Sequence, residues 1–171
     1  NEKFIYKQRV VRNLDKVFNI LLNYYKKTNI KSIAFAQGGD FIGGNDAQII
    51  QEGIKMKRKA MNTFLCSIKR PFQFVGRLNE DVSTYVNLGS KGDLFFTIPN
   101  ISVTQMPTLK TKGGLSDVYM EYGTYVKSFF SIMYNPSSVV IRILGKKNKR
   151  IHHKVLWKNA VPKILNEKYK K

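Results

Sequence analysis

"VVRNLDKVFNILLNYYKKTNIKSIAFAQGG", residues 10 to 39, changes its apolar period part-way along. Val10, Val11, Leu14, Val17, Phe18, Leu21, Leu22 and Tyr25 recur at steps of three and four, which gathers apolar side chains on one face of a helix. From Lys31 the run "KSIAFAQ" is short, apolar and stopped by Gly38 and Gly39, the pattern of a buried strand. A one-faced helix feeding a buried strand predicts helices layered on a sheet, and therefore an α/β fold.

The rest of the chain extends that alternation. "GGDFIGGND" makes a glycine-rich loop in which Asn45 or Asp46 can cap a helix from Ala47 to about Met61. "NTFLCSI" and "PFQFVG" are strand-like, and a helix starts at Asn79 or Glu80, runs to about Leu88 and is closed by Gly89. "DLFFTIP" and "ISVTQ" are β-branched and aromatic with proline punctuation, so they predict two strands. In "SDVYMEYGTYVKSFFSIMY" the latter part is helical, with Val126, Phe129, Phe130 and Met133 sharing a face. "SSVVIRIL" and "IHHKVLW" flank the turn composition "GKKNKR", which predicts a hairpin, and Pro162 suits the first turn of a C-terminal helix. With no internal repeat, residues 1–171 are expected to form a single domain of mixed α/β layers.

Charge dominates the composition. Thirty Lys and Arg stand against 11 Asp and Glu in 171 residues, a formal net charge of +19. A surface so positive attracts polyanions: nucleic acid first, an anionic membrane or nucleotide diphosphates otherwise. A lysine-rich composition inherited from an AT-rich genome is the alternative, since Lys outnumbers Arg. Cys66, the only cysteine, lies in an apolar run and is expected to fill the core; one cysteine excludes a disulfide framework and a four-cysteine zinc site. No stretch approaches the roughly 18 apolar residues of a membrane span, and no secretion signal opens the chain, so a soluble intracellular protein is expected.

Three places carry chemistry. The loop "GGDFIGGND" lets backbone approach a ligand, and Asp40 and Asp46 could hold a metal or a ribose; it lacks the P-loop ending and the dinucleotide glycine spacing, and turn glycines explain it equally well. "IHHK" holds both histidines, His152 and His153, whose side chains are expected on opposite faces of a strand. One of them could ligate a divalent metal or hydrogen-bond a diphosphate. In "FVGRLNEDVSTYV", residues 74 to 86, Glu80 and Asp81 sit together at a helix N-terminus in an acid-poor chain. One carboxylate suffices to favour the helix dipole. A second, aimed into a cleft, can serve as a general base while Arg77 steadies an anion.

The stretches "KRKAMNTFLCSIKRPFQFVGRLNEDVSTYV", "GGLSDVYMEYGTYVKSFF" and "RIHHKVLWKNAVPKIL" together resemble the phage-encoded TET-associated glycosyltransferases, from about Gln37 to the end of the chain. The resemblance implies a GT-A-like mixed sheet flanked by helices, with a C-terminal β-hairpin and helix. It implies sugar transfer from a nucleotide-sugar to a hydroxyl on a modified pyrimidine in DNA, in the cytoplasm of an infected bacterium. On this likeness Asp81 is the first choice of base, with Glu80 beside it. His152 or His153 would assist the metal, Mg²⁺ or Mn²⁺, and the donor's diphosphate. Gly113 and Gly114 would lie beside the sugar and the acceptor.

This chain departs from the GT-A pattern in two respects: it contains no Asp-x-Asp for the metal, and its sequence does not start with a Rossmann-like strand and helix pair able to bind the nucleotide. Either the chain is the acceptor-side part of a longer enzyme whose metal motif precedes Asn1, or it is a degenerate member that binds without transferring; the first residue, Asn within a charged stretch, favours the former expectation. Lys55, Lys57, Arg58, Lys59, Lys69 and Arg70 would follow DNA phosphates, and Tyr119, Tyr122 and Tyr125 could stack on a flipped base or pack in the core. Two other classes fit parts of the pattern. A non-catalytic basic DNA-binding protein shares the charge and aromatics without needing Glu80, Asp81 and a histidine together. A metal-dependent nuclease would draw on Asp40, Asp46, Glu52 and Lys55. The particular sugar, the base, the stereochemical course and the oligomeric state are not legible.

Overall fold

The computed structural model describes residues 3–37, 63–104, 115–145 and 149–160. They fall into two compact units, Asn1–Phe72 with Leu94–Gln105, and Gln73–Asp93 with Met106–Lys171. The expected loop at 38–46, the helix from Ala47 to about Met61 and the helix opened by Pro162 lie outside the described residues.

The first unit is built on a mixed five-stranded sheet. Its strands are β1 (Phe4–Tyr6), β2 (Arg9–Val10), β3 (Ser32–Gln37), β4 (Phe64–Cys66) and β5 (Phe95–Val103), in the order β2-β1-β5-β3-β4. β3 and β5 pair in parallel and every other neighbour is antiparallel. β3 is an interior strand, between β5 and β4, and its residues from Ser32 to Ala36 are all buried, as expected of a strand covered on both faces.

Helix α1 (Leu14–Lys27) connects β2 to β3. It begins later than the apolar spacing predicts, because Val10 pairs with Ile5 in the β1–β2 hairpin and the Asn13 side chain caps the helix, accepting from the Lys16 amide at 3.0 Å. Leu21 and Tyr25 of α1 join Ile30, Ile33, Phe35, Phe96 and Val103 in one core. Phe4, Phe18 and Phe35 meet edge to face there, with ring centroids 5.1 to 6.1 Å apart. Each fully buried side chain of this size contributes about 1.5–3 kcal/mol.

Two strand predictions change in the structure. The segments on either side of Pro99 form one strand, β5, and the β3–β5 register jumps from Phe35↔Ile98 to Ala36↔Ser102. Proline cannot donate to a ladder, so the chain bulges there and then resumes pairing. "PFQFVG" forms no strand; Phe72 instead packs edge-on to Phe95 at 5.2 Å. β4 is the sheet's edge strand, which leaves Cys66 exposed rather than in the core.

The second unit contains α2 (Glu80–Ser90), α3 (Ser116–Tyr122), α4 (Val126–Tyr134), the antiparallel hairpin β6 (Val139–Leu144) and β7 (Arg150–Val155), and the short α5 (Trp157–Ala160). α2 is buried from Val82 to Val86 and again at Gly89. Gly89 does not end this helix: it packs against α5, where a Cβ would lie 2.7 Å from the Ala160 carbonyl oxygen. The stop comes at Gly92, at φ +110°, with the Gly92 amide bonded to Gly89 and the Asp93 amide to Leu88. That pair of bonds is a Schellman motif.

The face of α4 also differs from the prediction. Ser128 and Ser131 are its buried residues, while Phe129 and Met133 are exposed. Small side chains let α4 come close to α2, a gain that apolar spacing does not register. Gly123, at φ +79°, separates α3 from α4. Tyr85 of α2 stacks on Trp157 of α5, with ring centroids 5.4 Å apart, and closes the unit's other side.

Candidate active site

α2 opens with Asn79 in the left-handed region at φ 55° and ψ 36°, followed by the half-buried acids Glu80 and Asp81. Asn79 takes the N-cap position, yet its side chain makes no cap bond. Its carbonyl accepts from the Ser83 amide at 3.0 Å, and its side chain turns away toward α4 and β7. Asn tolerates the left-handed region better than other non-glycine residues, which makes this re-aiming inexpensive.

The protons in that network can be assigned. Ser131 Oγ donates to the Lys127 carbonyl at 3.3 Å, which leaves its lone pairs to accept from Asn79 Nδ2 at 2.6 Å. The same Nδ2 lies 3.3 Å from Nδ1 of His153. With the Asn79 amide so placed, Nδ2 donates and Nδ1 accepts, the arrangement of the tautomer that carries its hydrogen on Nε2. Asn79 is 9% exposed and Ser131 fully buried, so these bonds compete little with water.

Both histidines lie on β7, where His152 pairs with Arg142 and His153 with Ile141 across the hairpin. Strand alternation predicts their rings on opposite faces; the rings instead lie 4.3 Å apart at 46°. Both are half-buried.

Tyr119 of α3 completes the cluster. Burial, then the negative charges of Glu80 and Asp81, raise its phenol above the ordinary value of 10.0. A phenol so placed stays protonated and can donate to the carboxylates' side of the site. Lys127 Nζ lies 5.7 Å from the centre of its ring and adds a cation. Tyr122 and Tyr125 are exposed, so core packing does not account for them. Two sets of contacts therefore flank the start of α2: Asn79 with Ser131 and His153, and Tyr119 with the charges of Glu80 and Asp81 and with Lys127.

Other expected site residues are placed differently. Arg77 is exposed ahead of α2, and Lys69 is exposed in the first unit. Arg70 is engaged at the C-terminus of α1: its guanidinium donates to the carbonyls of Thr28, Ile30 and Tyr25 and lies 4.2 Å over the Tyr25 ring. A cation there complements the helix dipole and its unpaired carbonyls. Lys55, Lys57, Arg58, Lys59, Gly113 and Gly114 lie outside the described residues, as do Asp40, Asp46 and Glu52.

Among the described residues no three His, Cys, Asp or Glu side chains come together as a metal site. His153 turns its Nδ1 lone pair to Asn79 and carries an N–H at Nε2, which suits an anion rather than a cation. Among the described residues no helix is long and apolar enough to cross a membrane.

A family model for the TET-associated glycosyltransferases matches residues 4–114. The chain belongs to the TET-associated glycosyltransferase family. The matched range starts ahead of Gln37, takes in the first unit's sheet and α2 with Glu80 and Asp81, and stops before α3 and the hairpin. Glycosyl transfer is thus the activity class of the family to which the chain belongs. No curated protein and no solved structure matches the chain.

Proposed function

We propose that this TET-associated glycosyltransferase moves a sugar from a nucleotide-sugar to a hydroxyl on a modified pyrimidine in DNA, on a GT-A-like fold, in the cytoplasm of an infected bacterium. The observation that carries the reading is the Asn79 amide bridging to His153 beside Glu80 and Asp81. One network then supplies a base for the acceptor and a hydrogen-bond donor for the departing group.

In a direct displacement the acceptor oxygen attacks the anomeric carbon as the bond from that carbon to the diphosphate oxygen breaks. Asp81 takes the hydroxyl proton, with Glu80 beside it, and the electron pair of the broken bond leaves on the diphosphate. The Nε2–H of His153 donates to the developing charge, and Lys127 and Arg77 add positive potential. Tyr119, protonated next to the carboxylates, orients the one that accepts the proton. His152 packs against His153 and keeps the ring in place. Gly113 and Gly114 are assigned beside the sugar on the family likeness alone.

A divalent ion, Mg²⁺ or Mn²⁺, would neutralise the diphosphate when bound. DNA phosphates are assigned to exposed Lys69 and to the lysine-rich segment 55–59; Arg70 is the weakest of that set, given its carbonyl partners. The test is to incubate hydroxymethylated DNA with a panel of nucleotide-sugars and weigh the nucleosides released afterwards. A mass gain equal to one sugar residue supports the reading, and unmodified nucleosides with every donor reject it.

A further inference from the structure

The first unit carries a cleft of about 570 Å³ that the sugar-transfer chemistry does not use. Val10, Val11, Val17 and Ile101 form an apolar wall, and Tyr6, Lys7 and Arg9 line the same space. The size is that of a small-ligand site. Its two cationic side chains come from the β1–β2 hairpin, Lys7 from the turn and Arg9 from β2.

That turn is unusual in its residues. Tyr6 pairs with Arg9, leaving Lys7 and Gln8 as a two-residue loop with φ 46° and 65°. Two successive positive φ values make a type I′ turn, which favours Asn and Gly. Lys and Gln at those positions are backbone outliers, and such outliers concentrate where a side chain serves a ligand. Lys7 Nζ stands 5.5 Å from the centre of the Tyr6 ring. Tyr6 and Val10 are 42% and 51% exposed, on the edge strand pair of the sheet. From Lys3 to Lys16 the chain holds five cations, Lys3, Lys7, Arg9, Arg12 and Lys16, against one acid, Asp15.

An exposed aromatic ring and an apolar wall beside paired cations match one chemistry closely: a base with its face uncovered, joined to phosphates on either side. A paired duplex offers phosphates but no free base face. We propose that this cleft binds an unpaired nucleotide of single-stranded DNA, the base against Tyr6 and Val10 and the flanking phosphates on Lys7 and Arg9. The proposal rests on DNA being the acceptor, and it specifies the strand state the protein engages.

Fluorescence anisotropy of the full chain with a labelled thymidine oligonucleotide, no sugar donor present, tests it. The K7A/R9A double variant is expected to bind about tenfold more weakly, and its log–log salt slope to fall by about 1.4, because two phosphates of the single strand are no longer neutralised. Tyr6→Ala should weaken binding about tenfold through lost stacking, and Tyr6→Phe should retain it. A duplex of equal length should bind without sensitivity to Tyr6→Ala. Thermal unfolding of each variant verifies the fold, and Tyr6→Phe guards against a purely structural effect.

Folded variants that bind single strands as the parent does would overturn the site. So would an equal loss toward single strand, duplex and phosphatidylserine vesicles, which marks an unselective polyanion patch. Hairpin effects without sugar transfer reject the transferase reading alone, and transfer without hairpin effects rejects this site alone.

Discussion

Asn79 Nδ2 and His153 Nδ1, 74 residues apart in sequence, meet at 3.3 Å, an arrangement that favours the imidazole tautomer with hydrogen on Nε2. Replacing Asn79 with Asp turns that donor into an acceptor. Asn79→Asp should move the ring proton to Nδ1 or produce the imidazolium, read directly from the nitrogen chemical shifts of His153. Asn79→Ala should lower stability by about 1–3 kcal/mol, because Ser131 and His153 each lose a buried partner. Unchanged histidine shifts in Asn79→Asp would remove the assigned tautomer.

Tyr119 gives the site an alkaline signature. Its pKa is raised in the folded chain by burial, then Glu80, then Asp81, so the native state holds its proton above pH 10.0 where the unfolded chain releases it. The associated stability is complete below the unfolded value and is lost as pH rises through the folded one. Tyr119→Phe should flatten that alkaline loss in denaturation curves measured across pH. Glu80→Gln should draw the Tyr119 pKa part-way back toward 10.0, leaving the effects of burial and of Asp81. A tyrosine titration identical in parent and Glu80→Gln would separate Tyr119 from the acids.

Gly89→Ala distinguishes packing from propensity. In an exposed helix interior this change stabilises by about 1 kcal/mol. Here the new Cβ would meet the Ala160 carbonyl oxygen at 2.7 Å, which is backbone and cannot rotate away. A loss of about 1–3 kcal/mol in chemical denaturation is expected. A gain would show that α5 does not pack on α2 as described.

Arg70→Lys should be nearly as damaging as Arg70→Ala, lowering the midpoint of thermal unfolding. A lysine cannot reach three carbonyls at fixed angles or lie flat on Tyr25. Full stability in Arg70→Lys would contradict the capping role.

Much of this architecture is written locally. The α1–β3 pair follows from a change of apolar period between Tyr25 and Ile33, and the β6–β7 hairpin from turn residues between two β-branched runs. What eluded local reading depends on distant partners. Ser128 and Ser131 are buried because α2 approaches closely, and Gly89 is helical because α5 covers it. Val10 looks helical until its pairing with Ile5 is known. The acids Glu80 and Asp81 were legible as a local excess of charge in an acid-poor chain. Asn79 was legible only as a helix boundary, since its partners Ser131 and His153 are 52 and 74 residues away. Tyr119 was legible as an aromatic but not as a neighbour of the carboxylates.

The central claim is that a carboxylate at the start of α2 removes the acceptor's proton. The most direct measurement compares parent and Asp81→Asn for sugar added to hydroxymethylated DNA, with DNA affinity recorded on the same samples. Loss of transfer by about a hundredfold or more, the usual scale for a general base, with affinity unchanged, is the predicted result. Equal transfer by folded Asp81→Asn and by the Glu80→Gln/Asp81→Asn double variant would contradict it.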